Sequence, residues 1–198
     1  VSRRFAALAL IASVATGCTV RYTGAARPVD AASIDPAQGW VVASVEPVRQ
    51  VAENDCGPAA LAMVAARWDH RVTLDELTLA SAPSPEGTRL GTLRDAARAH
   101  GLRAFVLTGD RALLEHELTA GRPIVVGLVR PHGKKVKTHF EVVVGLHPDG
   151  RVATVDPASG WQVRPWAGLE AEWGAAGHPA MVVVGTTTTP VAPDLAAN

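Results

Sequence analysis

One stretch constrains this chain more than any other: Gln50-Val51-Ala52-Glu53-Asn54-Asp55-Cys56-Gly57-Pro58, leading into Ala59-Ala60-Leu61-Ala62-Met63-Val64. Leu61, Val64, Ala65 and Trp68 recur at i, i+3, i+4 and i+7, an apolar face with the helical period. Pro58 suits the first turn of such a helix, where a missing N–H is no loss. Cys56 therefore stands at a helix N-terminus, where the macrodipole and free N–H groups favour an anion. A thiol so placed ionises more readily than a free one. A small buried apolar residue is the plainer reading of a lone cysteine, so the rest of the chain has to decide.

With 198 residues and 47% hydrophobic composition, the chain can bury one core and have ends to spare. Its 19 basic and 19 acidic residues balance, so bulk charge gives no reason to expect nucleic-acid binding. At the start, Arg3 and Arg4 precede an apolar run from Phe5 to Thr16. That run is shorter than the ~20 residues a bilayer span needs, and reads as an export signal. Ala15-Thr16-Gly17-Cys18 then resembles a bacterial lipobox. The resemblance implies a signal peptide over residues 1–17 and lipidation of Cys18, which would anchor the chain to a membrane without spanning it. An ordinary cleaved signal is the alternative. Thr19, where inner-membrane lipoproteins often carry Asp, points to the outer membrane of a Gram-negative cell envelope. With Cys18 and Cys56 each given its own role, no disulfide is expected. Residues 18–38 read as a lipidated terminus and flexible tether, 39–185 as one domain, and 186–198 as a disordered tail.

Within the domain, Trp40 to Val48 is a strand or an extended lead-in. Thr73-Leu74-Asp75-Glu76 is a capping-box start. A helix over Thr92–His100 is stopped by Gly101, and one over Arg111–Ala120 is capped by Asp110 and stopped by Gly121. A strand over Leu102–Thr108 lies between them. Strands follow at Pro123–Val129, His139–Leu146 and Arg151–Asp156, with His147-Pro148-Asp149-Gly150 as a turn. Trp161–Trp166 reads as a further strand, Gly168–Trp173 as a short helix, and Ala180–Gly185 as a last buried strand. Helices first and antiparallel strands second is an α+β layout, with N-terminal helices packed on a sheet.

A cysteine nucleophile needs a base, and a third group to orient that base. Of seven histidines, His70 and His100 lie at helix ends, His116 within a helix, His132 in the basic loop Arg130 to Lys137, His147 in a turn, and His178 before a proline. His139 opens the buried run Phe140-Glu141-Val142-Val143-Val144, where a rigid strand can hold it at the lip of a cleft. Asp156 ends the next strand and is a candidate third group, although Asp-Pro is also a common turn starter. Glu141 is its rival, on the same strand face as His139 at i+2. One histidine and one glutamate are too few ligands for a zinc site, and no metal or cofactor is called for. The Gln50 amide, with the backbone N–H of Cys56, is placed to donate to the oxyanion of a tetrahedral intermediate.

Taken together these residues resemble the C39 cysteine peptidases, papain-like domains that process bacteriocin leaders. The resemblance rests on Gln50 with Asp55-Cys56-Gly57, on His139-Phe140 and on Asp156-Pro157. Glu86-Gly87-Thr88, the helix before Gly101-Leu102, and Trp173 add to it. It implies a papain-like fold and peptide-bond hydrolysis on a peptide or protein substrate. Cys56 attacks, His139 moves the proton, Asp156 holds His139 and Gln50 stabilises the oxyanion. A secretion system or ABC transporter is the implied partner, although the chain shows no membrane-spanning segment or nucleotide-binding domain of a fused transporter. Two other functions stay open: a non-hydrolytic C39-like domain that binds peptides, and a papain-like amidase or transpeptidase, since a triad defines a reaction class and not a substrate. The basic run Gly133-Lys134-Lys135-Val136-Lys137 reads either as a solvated loop or as a flank for acidic substrate segments.

Overall fold

The computed structural model describes residues 24–185 apart from Glu86, Gly133 and Lys134. Cys18, the expected signal and the expected tail lie outside the described residues. Five helices occur among those described: α1 (Cys56–Ala66), α2 (Leu74–Ser81), α3 (Leu90–Ala99), α4 (Arg111–Thr119) and α5 (Trp166–Ala175). The strands are β1 (Arg27–Pro28), β2 (Val41–Val42), β3 (Arg103–Thr108), β4 (Ile124–His132), β5 (Lys135–Leu146), β6 (Arg151–Asp156), β7 (Gly160–Pro165) and β8 (Pro179–Val184). They form one sheet in the order β1-β7-β6-β5-β4-β8-β3, with β2 also on β5, and every pairing is antiparallel. The fold is α+β, as expected.

Side-chain alternation along β5 sorts the core into two layers. Phe140, Val142 and Val144 face α1 and α3, in a layer with Leu61, Val64, Leu93 and Met181. Val143 faces the other way, in a layer with Leu114, Leu118, Leu169 and Trp173 of α4 and α5. α1 is not amphipathic. Every residue from Cys56 to Ala65 is buried, because the helix is covered by the sheet on one side and by α2 and α3 on the other. A helix apolar all round belongs in a core. Trp68 lies beyond the end of α1 and donates its indole N–H to the Val183 carbonyl at 2.9 Å.

The cap signals act as their residues dictate. Thr73 caps α2 in a reciprocal box with Glu76, and Asp110 accepts from the Leu113 N–H at 2.8 Å at the start of α4. Two expectations change. Residues 24–38, expected as a tether, lie on the domain. β1 pairs with β7, Asp30 and Asp35 cap two short 3₁₀ turns, and His147 Nε2 meets the Gln38 carbonyl at 2.9 Å. Ile34 and Trp40 bury themselves in the α1 layer, apolar area that outweighs the segment's lack of periodicity. The expected basic loop from Arg130 to Lys137 is mostly a hairpin, with Arg130 opposite Lys137 and His132 opposite Lys135. His139 therefore lies inside β5, four residues past its start, and not at a strand opening.

Candidate active site

Cys56 is the first residue of α1, with Asp55 as its N-cap. The Asp55 side chain turns back to accept from the Ala52 N–H at 2.9 Å, which folds the preceding loop onto the helix end. Gly57 allows a close approach: a Cβ there would stand 3.0 Å from Leu93 Cδ1 and 3.3 Å from Phe140 Cδ2. The lack of a side chain brings β5 up to the helix N-terminus, and with it His139.

His139 Nε2 lies 2.8 Å from Asp156 Oδ1. That leaves Nδ1 on the side of the thiol, and His139 is the group that most favours the Cys56 thiolate. Burial alone would push the Cys56 thiol up. The hydrogen bond and charge of His139 outweigh it, helped by the Phe140 and Gly57 backbone, and hold the thiol below its ordinary range. Burial likewise works against a charged His139, but hydrogen bonds to Asp156 and Cys56 raise it to about 9. The Asp156 carboxyl is held well below the usual carboxylate range: burial opposes this, and His139, Arg130 and the Ala158 N–H prevail. Between the two limits the pair favours thiolate and imidazolium.

Asp156 is a turn starter as well as a partner of His139. Its Oδ1 accepts from the Ala158 N–H at 2.7 Å and its Oδ2 from the Ser159 hydroxyl at 2.9 Å, while Gly160 closes the turn at φ 86°. The turn that places Asp156 thus also fixes its carboxylate plane. Gln50 is tied to the same turn, its backbone N–H donating to the Pro157 carbonyl at 3.1 Å. Its side-chain amide is engaged locally, on the carbonyls of Ala52 at 2.9 Å and Glu53 at 3.4 Å, and its buried Oε1 has no partner. Asp156 holds His139 by a hydrogen bond, and His139 acts in turn on Cys56; the Gln50 amide is not part of this series.

Two clefts border Cys56 and His139. One, of about 700 Å³, is lined by Cys56 with Glu53, Asn54, Val136 and Lys137. The other, of about 680 Å³, is lined by His139 with Arg89, Gly127 and Pro179. Gly87, Thr88, Thr138 and Phe140 border both, so the two clefts adjoin. Glu86 lies outside the described residues. A Lys137–Glu53 ion pair crosses the mouth of the first cleft.

The sequence reading missed the groups behind Asp156. Arg130 and Arg164 are buried, and they pair with Glu141 and Glu172. Ligand atoms of His139, Glu141 and Asp156 lie within 4.8 Å of one another. However, Glu141 already faces two guanidinium groups, so the chemistry of this cluster is that of an ion-pair network. A glutamate inside the run Phe140-Glu141-Val142-Val143-Val144 was the available signal, since a buried carboxylate demands a cation.

The Peptidase C39 family profile matches residues 44–176. The chain belongs to the peptidase C39 family. Solved structures similar to it share the fold. A double glycine motif protease from an AMS/PCAT transporter, in complex with the leader peptide, is 23% identical with a TM-score of 0.61, over 73% of this chain and 94% of that one. The peptidase domain of Streptococcus ComA, a bi-functional ABC transporter involved in a quorum sensing pathway, is 24% identical with a TM-score of 0.61, over 73% and 99%. A C39-like peptidase from Bacillus anthracis is 18% identical with a TM-score of 0.62, over 75% and 98%. No curated protein sequence matches the chain. Among the described residues, no helix is long and apolar enough to cross a membrane.

Proposed function

We propose that this chain is a lipid-anchored cysteine peptidase that hydrolyses peptide bonds in leader or secreted peptides. The observation that carries the reading is the 2.8 Å bond of His139 to Asp156, with His139 lining one of two adjoining clefts and Cys56 at a helix N-terminus lining the other. The Cys56 thiolate attacks the scissile carbonyl. The imidazolium of His139 gives its proton to the leaving amine, and a thioester forms on Cys56. Neutral His139 then takes a proton from water, which attacks the thioester and frees the acid. Asp156 keeps the imidazole in one orientation and supports its charge. The Cys56 backbone N–H faces the developing oxyanion, and Gln50 joins it by giving up its longer bond to Glu53.

One similar structure holds a leader peptide and another is the peptidase domain of a bi-functional ABC transporter, which supports a peptide substrate and a secretion partner. Ala15-Thr16-Gly17-Cys18 supports anchorage in the cell envelope through Cys18.

The test is alkylation of Cys56 by iodoacetamide against pH, in a Cys18→Ser chain where Cys56 is the single thiol. A free thiol titrates near ~8.5. The reactive form is expected to persist well below that and to be lost with His139→Ala. An ordinary titration in both chains overturns the peptidase reading and favours peptide binding without turnover. Product analysis then separates hydrolysis, which leaves a free carboxyl terminus, from transfer, which leaves a new amide.

A further inference from the structure

Five charged side chains lie buried behind His139: Arg130 on β4, Glu141 on β5, Asp156 at the end of β6, Arg164 on β7 and Glu172 on α5. Buried charges persist only when paired. Arg130 directs Nη2 at Glu141, Nε at Glu172 at 3.1 Å and Nη1 at Asp156 Oδ2 at 3.4 Å. Arg164 directs Nη2 at Glu141 and Nη1 at Glu172 at 2.9 Å. The Gly24 N–H closes the far side on Glu172 Oε1 at 3.1 Å. Among the described residues the set brings together two guanidinium groups and three carboxylates. His139, on Asp156 Oδ1, is the titratable cation that faces it. The other charges around the imidazole are Cys56 from α1 and, on its own strand, Lys137, which is paired with Glu53.

We infer that Arg130 tunes the base of the reaction: its guanidinium shares the Asp156 carboxylate with His139, ties it to the buried Glu141–Arg164–Glu172 network, and offsets part of the negative charge that favours a protonated His139. The inference rests on the peptidase reading of Cys56, His139 and Asp156. Its consequence is a signed one. Removing a carboxylate from the network takes away support for the imidazolium, and removing a guanidinium adds to it. Loss of packing has no such sign, because it lets water in and returns His139 toward its ordinary value in either case.

The experiment follows the His139 ring by NMR against pH in the full Cys18→Ser chain, with the iodoacetamide rate at Cys56 as a second readout. In the unsubstituted network His139 is expected near about 9. Glu141→Gln, which keeps the side-chain shape, is expected to lower that position by about one pH unit. Arg130→Met is expected to raise it, and Arg130→Lys to restore it. Movement of Glu141→Gln and Arg130→Met in the same direction, or of neither, overturns the inference. Should Arg130→Met fail to fold, Arg130→Gln takes its place with the same expected rise, and a fall or no shift overturns the inference. Failure of the underlying reading is recognised separately, before any network substitution: His139 then titrates near ~6.5 and Cys56 alkylates like a free thiol, with or without His139→Ala.

Discussion

The two faces of the sheet are built on opposite principles. The α1 face is dry. Leu61, Met63, Val64, Leu93, Val142 and Val144 pack there, and α1 carries no Asp, Glu, Lys or Arg over its length. The opposite face mixes apolar packing around Trp173 and Leu169 with the five-membered charge network. Apolar burial is non-directional and roughly proportional to area, so the dry face can hold α1 firmly without fixing any one contact. Buried ion pairs need defined geometry and lose much if one partner goes, so the charged face fixes orientations. Cys56 belongs to the first face and His139, by strand alternation, to the second. The candidate site forms at the lip where the two meet.

The largest effect tests that boundary. Cys56→Ala and His139→Ala are each expected to abolish peptide turnover while leaving the fold intact, as judged by circular dichroism and thermal unfolding. Activity surviving in Cys56→Ala would remove the reason for the two faces to meet there. Next, Arg164→Met leaves Glu141 and Glu172 half-paired, and is expected to destabilise by ~3–5 kcal/mol in denaturant unfolding. Leu61→Ala on the dry face is expected to cost ~2–5 kcal/mol, a similar size from a different cause.

The pH dependence separates those causes. The deficit of Leu61→Ala is expected to stay constant with pH. The charged face behaves otherwise. The Asp156 carboxyl is depressed by His139 and Arg130 against the effect of burial, so its contribution is present above the unfolded value of ~3.9 and is lost as pH falls below it. His139 is raised to about 9, so its contribution is full below ~6.5 and is lost as pH rises through about 9. Denaturant unfolding of Asp156→Asn at several pH values is therefore expected to show a deficit that shrinks toward acid. The same limits give turnover an upper boundary near pH 9, where the imidazolium that protonates the leaving amine disappears. The smallest effect lies far from both faces: Thr73→Ala removes the α2 cap and is expected to cost ~1 kcal/mol, with turnover unchanged.

Much of this was legible in the residues. The period of Leu61, Val64 and Ala65 with Pro58 gave α1 and put Cys56 at its start. Thr73 with Glu76, and Asp110 with Gly121, bounded α2 and α4. The run Arg151–Asp156 gave β6 to the residue. These signals are local, carried by neighbours within one turn or one strand. The tether reading failed over residues 24–38 because Ile34 is buried beside Gly145, more than a hundred residues away. The basic loop failed because composition cannot show which of several cations is folded inward, and Arg130 continues the apolar run Ile124 to Val129 into the buried sheet.

The sequence by itself determined the elements, their caps and the chemical types at the site: a thiol at a helix end, an imidazole on a strand and a carboxylate at a turn. Periodicity and capping are short-range physics and need no partner from afar. Only the tertiary structure decided which charges answer one another. His139 meets Asp156 across 17 residues, and Arg130 meets Asp156 across 26 and Glu172 across 42. Pairings at those separations are set by strand order and register, and a buried charge takes the partner that the sheet delivers to it.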